Sequence, residues 1–125
     1  MRNKIIAYAL HFTSFLVEGG IEPKKVILFG SAVTGKFDKE SDVDIFIDTE
    51  KREEEKAMSI LKTFNSTYGE KWKLKGVTNT ISIKTGRLDA RRELKRSMQS
   101  YGILLYGKYN EFPDNMKSYL LFRLD

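Results

Sequence analysis

Residues 25–48 constrain the fold of this chain more than any other stretch. An apolar run at residues 26–29 shows no polar alternation, which predicts a strand buried on both faces and central in a sheet. Gly30 and Ser31 interrupt it, and Asp42 and Asp44 open a second apolar run that ends at Asp48. The pattern predicts two neighbouring strands, with a sharp turn and a short helical segment between them.

The turn and the second strand carry residue types suited to one site. Gly30 permits unusual backbone angles, and free N–H groups beside the Ser31 hydroxyl could cradle phosphate oxygens. Asp42 and Asp44 would project from one strand face about 6 to 7 Å apart, where their charges repel unless a cation lies between them. Oxygen ligands of this kind suit Mg²⁺. Without the upstream Gly-Ser pair, a polar turn entering a strand would be the simpler interpretation. Asp48 is too far along to share the ion and is predicted either to end the strand or to start a helix.

A P-loop is the competing interpretation, because Gly30, Gly35 and Lys36 fit most of the pattern G-x-x-x-x-G-K-[ST]. Phe37, however, stands where that pattern needs a Mg²⁺-binding hydroxyl. Polar turn residues and a new strand also follow where a P-loop opens a long helix. The sequence therefore disfavours a P-loop, and a hydroxyl in place of Phe37 is expected to change nothing.

The same residues resemble a known signature. Gly30-Ser31, ten intervening residues and then Asp42-Val43-Asp44, preceded by Ser41, resemble the motif of the DNA polymerase beta-like nucleotidyltransferase superfamily, specifically its minimal nucleotidyltransferase domains. Residues 101–107 are similar to the family's closing segment. The resemblance implies an α/β (α+β) fold, with a small mixed sheet and helices packed mainly on one face. One such domain is expected over residues 1–125, with its core at about residues 1–107 and an extension at 108–125.

The resemblance also implies an activity. The implied reaction is the Mg²⁺-dependent transfer of a nucleoside monophosphate from ATP or another triphosphate to an acceptor hydroxyl on a protein or nucleic acid. Gly30, Ser31 and Ser41 would bind the nucleotide, while Asp42 and Asp44 would be catalytic and bind metal, with two Mg²⁺ ions expected in an active enzyme. Small members of the family often pair with a helical, toxin-like HEPN protein, which they modify or neutralise, so a HEPN-type partner is implied here too.

The sequence departs from the family at the third carboxylate, which normally lies on a neighbouring strand. Residues 71–88 contain no acid, and Ser82 falls at the expected position, between Ile81 and Ile83 of a predicted strand. A serine cannot act as a general base at neutral pH, and losing one typically costs about 10² to 10⁴ in rate. The alternative function is therefore a non-catalytic nucleotide-binding or regulatory module.

The remaining segments predict helices and a basic surface. Apolar periodicity predicts helices at residues 5–16, 57–68 and after Gly86, the last with an apolar seam that includes Tyr101. His11 lies off the first apolar face and is expected to be solvated. The acid-free lysines around Trp72, with a net charge of +5, fit a nucleic-acid-binding surface or a lysine-rich edge strand equally well. A basic nucleic-acid-binding domain is the third function hypothesis.

Composition sets the outer limits. A chain of 125 residues fits one domain, and no apolar run of about 18 residues is present to span a membrane. The absence of cysteine excludes a thiolate zinc site and a thiol nucleophile, and it suits a cytoplasmic protein. Near the end, a turn at Pro113 and an apolar stretch at residues 119–122 predict either an edge strand of the same domain or a boundary cut through something longer.

Overall fold

Four strands form one mixed sheet in the computed structural model, which describes residues 2–107. The strands are β1 (Lys25–Phe29), β2 (Val43–Asp48), β3 (Ile81–Gly86) and β4 (Ile103–Gly107). Their order is β3-β2-β1-β4, with β1 antiparallel to both β2 and β4, and β3 parallel to β2. The apolar run at residues 26–29 therefore lies inside the sheet, as predicted.

The helices connect these strands along the chain. They are α1 (Arg2–Glu18), the short α2 (Ser31–Thr34), α3 (Glu54–Leu74), a 3₁₀ turn (Leu88–Ala90) and α4 (Arg92–Tyr101). The crossover from β2 through α3 allows β3 to lie parallel to β2, whereas the short α2 connection returns the chain antiparallel. None of the described helices is long and apolar enough to cross a membrane.

The main core lies between one face of the sheet and the helices α1 and α3. Both helices bury an apolar stripe against alternate residues of β2. The largest fully buried side chains of this layer include Phe12, Phe64, Ile45 and Ile47. A smaller cluster on the opposite face joins Ile27, Phe46, Leu88 and Met98 beneath α4 and the 3₁₀ turn. The predicted α+β fold, with helices mainly on one face, is confirmed.

Three sequence interpretations are wrong in this region. Residues 71–73 belong to the last turn of α3, and Trp72 is only 7% exposed, so it cannot stack on a nucleic acid. Its Nε1–H donates to Nδ1 of His11 at 3.1 Å, and His11 is half-buried against the rings of Phe64 and Tyr68, so it is not a simply solvated side chain. Tyr101 is 67% exposed, because the buried face of α4 reaches only as far as Met98.

The predicted strand at residues 119–122 and the turn at Pro113 lie outside the described residues. Only one of the lysines that suggested a lysine-rich edge strand lies on a strand. Lys84 lies on β3, which is an edge of the described sheet, and its side chain is exposed.

Candidate functional site

The turn after β1 brings the backbone against a carboxylate. Gly30 adopts φ 75° and ψ −149°, a region essentially restricted to glycine, and caps the four-residue α2. A Cβ added at Gly30 would clash with Oδ2 of Asp44 and lie 3.2 Å from its Cγ. The first N–H groups of α2 have no intrahelical acceptor, and the Ser31 side chain is half-buried beside them. Glycine is thus required here by both its backbone angles and its contact with Asp44.

Two carboxylates lie at the start of β2. Asp42 precedes the strand and is exposed, whereas Asp44 is its second residue, half-buried and paired with Phe29 at the end of β1. Burial is the main cause that raises the pKa of Asp44, and the charge of Asp42 raises that pKa further. The positive charge of Lys84 opposes both effects. The pair therefore favours a nearby cation.

The adjacent strand presents Ser82 directly beside Asp44. The parallel register of β2 and β3 pairs Asp44 with Ser82 and Phe46 with Lys84, so these side chains share one face of the sheet. Lys84 Nζ reaches across β2 to lie 5.9 Å from the ring centroid of Phe29. Within residues 2–107, no group of three or more His, Cys, Asp and Glu side chains could hold a metal ion. Ser82 thus lies beside Asp44, while its place at the family's third-carboxylate position stays a prediction.

Ser41 has an identifiable structural contact. Its hydroxyl donates to the Asp38 carboxylate at 3.1 Å and accepts the Asp38 backbone N–H at 3.1 Å. The Glu40 N–H also donates to that carboxylate, at 2.9 Å. The Glu40 and Ser41 hydrogen bonds hold the pKa of Asp38 below its usual range. Ser41 therefore helps to shape the loop before Asp42, while direct contact with a nucleotide stays a prediction.

The geometry also settles the two alternatives raised for this stretch. Asp48 ends β2, is 8% exposed, and accepts the Leu88 N–H at 3.0 Å, so its predicted place at the strand end is correct. The helix after Gly30 has four residues and ends at Gly35, which excludes the long helix of a P-loop. Phe37 packs against the main core, and the expectation that a hydroxyl there leaves the site unchanged stays a prediction.

The oxygen donors fit a Mg²⁺ ion at the aspartate pair. Mg²⁺ prefers a few carboxylates together with water and phosphate oxygens. Asp42 and Asp44 supply that donor type, and a bound cation would offset the burial and the charge of Asp42 that raise the pKa of Asp44. Among the described residues, Ser82 is the partner of Asp44 on the neighbouring strand, and its hydroxyl would be a poor ligand for a second Mg²⁺ ion.

Two residues near the site were not singled out from the sequence. Lys84 could have been found, because it lies two positions after Ser82 and strand alternation places it on the same face. Asn79 could not, because it lies before β3 and its side-chain contacts are to a loop about 40 residues away in the chain.

Comparisons with known proteins agree with this architecture. The model of the family described as "Nucleotidyltransferase domain" matches residues 11–107. No curated protein matches the chain. A crystal structure of a mutant toxin–antitoxin, MntA-HpeT, has a TM-score of 0.58 at 15% identity, with 91% of this chain and 86% of that chain covered. A second toxin–antitoxin structure, with AMP-PNP, has a TM-score of 0.53 at 17% identity, with 98% and 87% covered. At these identities the likeness concerns the fold.

Proposed function

The chain belongs to the nucleotidyltransferase domain family, and on that premise we propose that it transfers a nucleoside monophosphate from a triphosphate to an acceptor hydroxyl in a Mg²⁺-dependent reaction. One observation carries the proposal. The glycine-only turn at Gly30 packs directly on Asp44, with Asp42 two residues earlier, which supports one surface that binds both phosphate and metal.

Each side chain has a stated part in this proposal. The backbone at Gly30 and the Ser31 hydroxyl bind phosphate oxygens, while Asp42 and Asp44 hold Mg²⁺. Bound Mg²⁺ would neutralise phosphate charge and stabilise the charge that develops as pyrophosphate leaves. Lys84, whose ammonium lies over the same face, adds positive charge near the phosphates.

The proposed site has no strong base at Ser82 for the acceptor hydroxyl. Ser82 can orient an acceptor hydroxyl by a hydrogen bond but cannot remove its proton at neutral pH. We therefore expect turnover about 10² to 10⁴ below that of a matched site with a carboxylate at this position.

The substrate and partner follow from the neighbouring structures and are part of the proposal. The structure with AMP-PNP favours ATP as the triphosphate. Both neighbours are toxin–antitoxin proteins, which favours a toxin partner, and we propose one of the HEPN type that supplies the acceptor hydroxyl. A nucleic-acid acceptor and a cytoplasmic location remain predictions from the sequence.

Label transfer tests the activity. The chain is incubated with MgCl₂ and ATP labelled at the α-phosphate, with a HEPN-type protein or RNA as acceptor. We expect Mg²⁺-dependent labelling that disappears in Asp42→Ala and Asp44→Ala. Glu40→Gln is the matched control, because Glu40 is an exposed acid of the same loop. Labelling that survives both aspartate substitutions would refute the proposed site.

The non-catalytic module remains the second candidate, because Ser82 faces Asp44 where a carboxylate would complete the site. Under this alternative, the chain binds triphosphate and Mg²⁺ but labels none of these acceptors, and Ser82→Asp creates activity. A nucleic-acid-binding domain would instead bind RNA in a strongly salt-dependent way that survives loss of Asp42 and Asp44.

A further inference from the structure

A buried asparagine joins the strand β3 to the loop that carries Asp42. Asn79, two residues before β3, is 5% exposed. Its Nδ2 donates to two backbone carbonyls, that of Asp38 at 3.0 Å and that of Ser41 at 2.9 Å. These two residues begin and end the loop that immediately precedes Asp42. One side chain therefore holds both ends of this loop.

The chemistry of the contact is unambiguous. Both neighbours are carbonyl oxygens, which only accept hydrogen bonds, so the amide nitrogen must face them. The remaining Oδ1 of Asn79 is buried and has no partner among the described residues. An unpaired buried acceptor is costly, so Oδ1 does not favour asparagine at this position. The two hydrogen bonds that Nδ2 donates therefore determine which residue type suits it.

Asn79 is itself held in place from two sides. Its backbone carbonyl accepts the hydroxyl of Tyr8, a buried residue of α1, at 3.3 Å. The carbonyl of the next residue, Thr80, accepts the N–H of Val43 at 2.8 Å. Asn79 thus links the loop to the core, and its neighbour Thr80 links the same segment to the first residue of β2.

From this arrangement we propose that Asn79 is a positioning residue for the nucleotide site. By holding residues 38–41, it fixes the Asp42 carboxylate beside Asp44, where the two can share a cation. The proposal rests on the proposed function, since it concerns how that site is assembled. In this proposal Asn79 acts through the loop and is not itself a ligand of the nucleotide or the metal.

Two measurements on Asn79→Leu test the proposal. Leucine has a similar volume and no donor. Limited trypsin digestion, read by mass spectrometry, should show cleavage after Lys36 and Lys39 accelerated about tenfold, as expected when hydrogen bonds that order the loop are lost. Cleavage after Lys62 on α3 should change much less. Binding of α,β-methylene-ATP with Mg²⁺ should weaken at least tenfold, towards the level of Asp42→Ala.

The matched control is Asn65→Leu, the same chemical change at an exposed position of α3. It should alter neither loop cleavage nor nucleotide binding. Asn79→Asp tests the donors in another way, because a carboxylate of the same shape would face two carbonyl oxygens, and it should loosen the loop at least as much. If Asn79→Leu does not fold, Asn79→Thr, which keeps one donor, replaces it under the same criteria.

The outcomes separate this proposal from the proposed function. Selective loop cleavage together with weakened Mg²⁺-dependent binding supports the role of Asn79. Unchanged binding of α,β-methylene-ATP in Asn79→Leu overturns that role, and so does cleavage that rises equally at Lys39 and Lys62. If the wild-type chain binds no α,β-methylene-ATP at all, the proposed function fails and the positioning role is overturned with it. Faster cleavage after Lys39 would then mark Asn79 as a purely structural clamp.

Discussion

Replacing Gly30 by alanine should damage the site through two separable effects. The first is backbone strain, because φ 75° and ψ −149° lie in a region that costs a non-glycine residue about 1 to 3 kcal/mol. The second is the clash of the new Cβ with Oδ2 of Asp44. Since Cγ and Cβ of Asp44 would also lie 3.2 and 3.4 Å away, rotating the carboxylate relieves only part of the contact. Forcing it off its rotamer adds about 0.5 to 1.5 kcal/mol.

Gly35 offers a matched control for this substitution. It also has a positive φ, 85°, but a Cβ there would meet nothing within 4 Å. Gly35→Ala should therefore show only the backbone cost of the left-handed region, about 1 to 2 kcal/mol. Gly30→Ala should cost about 2 to 4 kcal/mol and also displace the Asp44 carboxylate. Only Gly30→Ala should abolish Mg²⁺-dependent nucleotide binding.

Urea unfolding followed by fluorescence measures these differences, because the chain has one tryptophan, Trp72, and it is buried in the main core. Combining Gly30→Ala with Asp44→Ala isolates the contact. The double variant should be more stable than additivity predicts, by about 0.5 to 1.5 kcal/mol, since the clashing carboxylate is gone. Strictly additive effects, or equal losses of stability and binding at Gly30 and Gly35, would refute the reasoning.

Three further substitutions test other parts of the structure. Asp48→Ala leaves the Leu88 N–H unpaired and should lower the free energy of unfolding, measured by urea titration, by about 1 to 3 kcal/mol. Asp48→Asn keeps an acceptor and should recover most of that stability. Equal losses in the two variants would contradict this role of Asp48. Trp72→Phe removes the donor to His11 and should lower stability by about 1 to 2 kcal/mol in thermal unfolding, and an unchanged midpoint would show that the hydrogen bond contributes nothing. Lys84→Met should weaken nucleotide binding about tenfold in calorimetry without changing stability, because the side chain is exposed, and unchanged affinity would remove Lys84 from the site.

The central part of the fold was predictable because its signals are local. The unbroken apolar run at residues 26–29 predicted a strand inside a sheet, and the apolar run opened by Asp42 and Asp44 predicted its neighbouring strand. Ser82 was singled out by counting back from the closing segment at residues 101–107, as the family resemblance implies. Its register beside Asp44, however, depends on a parallel pairing that only the structure shows.

The errors arose where distant parts of the chain meet. His11 lies off the apolar stripe of α1, and nothing in the local sequence indicates that Trp72, 61 residues later, supplies its hydrogen bond. Trp72 was placed in a basic strand because lysines surround it, although tertiary packing extends α3 through it. Asn79 shows the same limit, since its two partners are determined by the approach of a loop and not by its neighbours in sequence.

The central claim is that the Gly30 turn and the Asp42–Asp44 pair form one metal-dependent nucleotide site. Calorimetric titration with α,β-methylene-ATP, in MgCl₂ and again in EDTA, tests it most directly. We predict saturable binding in MgCl₂ that is lost in EDTA and in Asp44→Ala. Binding of equal strength in EDTA, or binding that persists in Asp44→Ala, would contradict it.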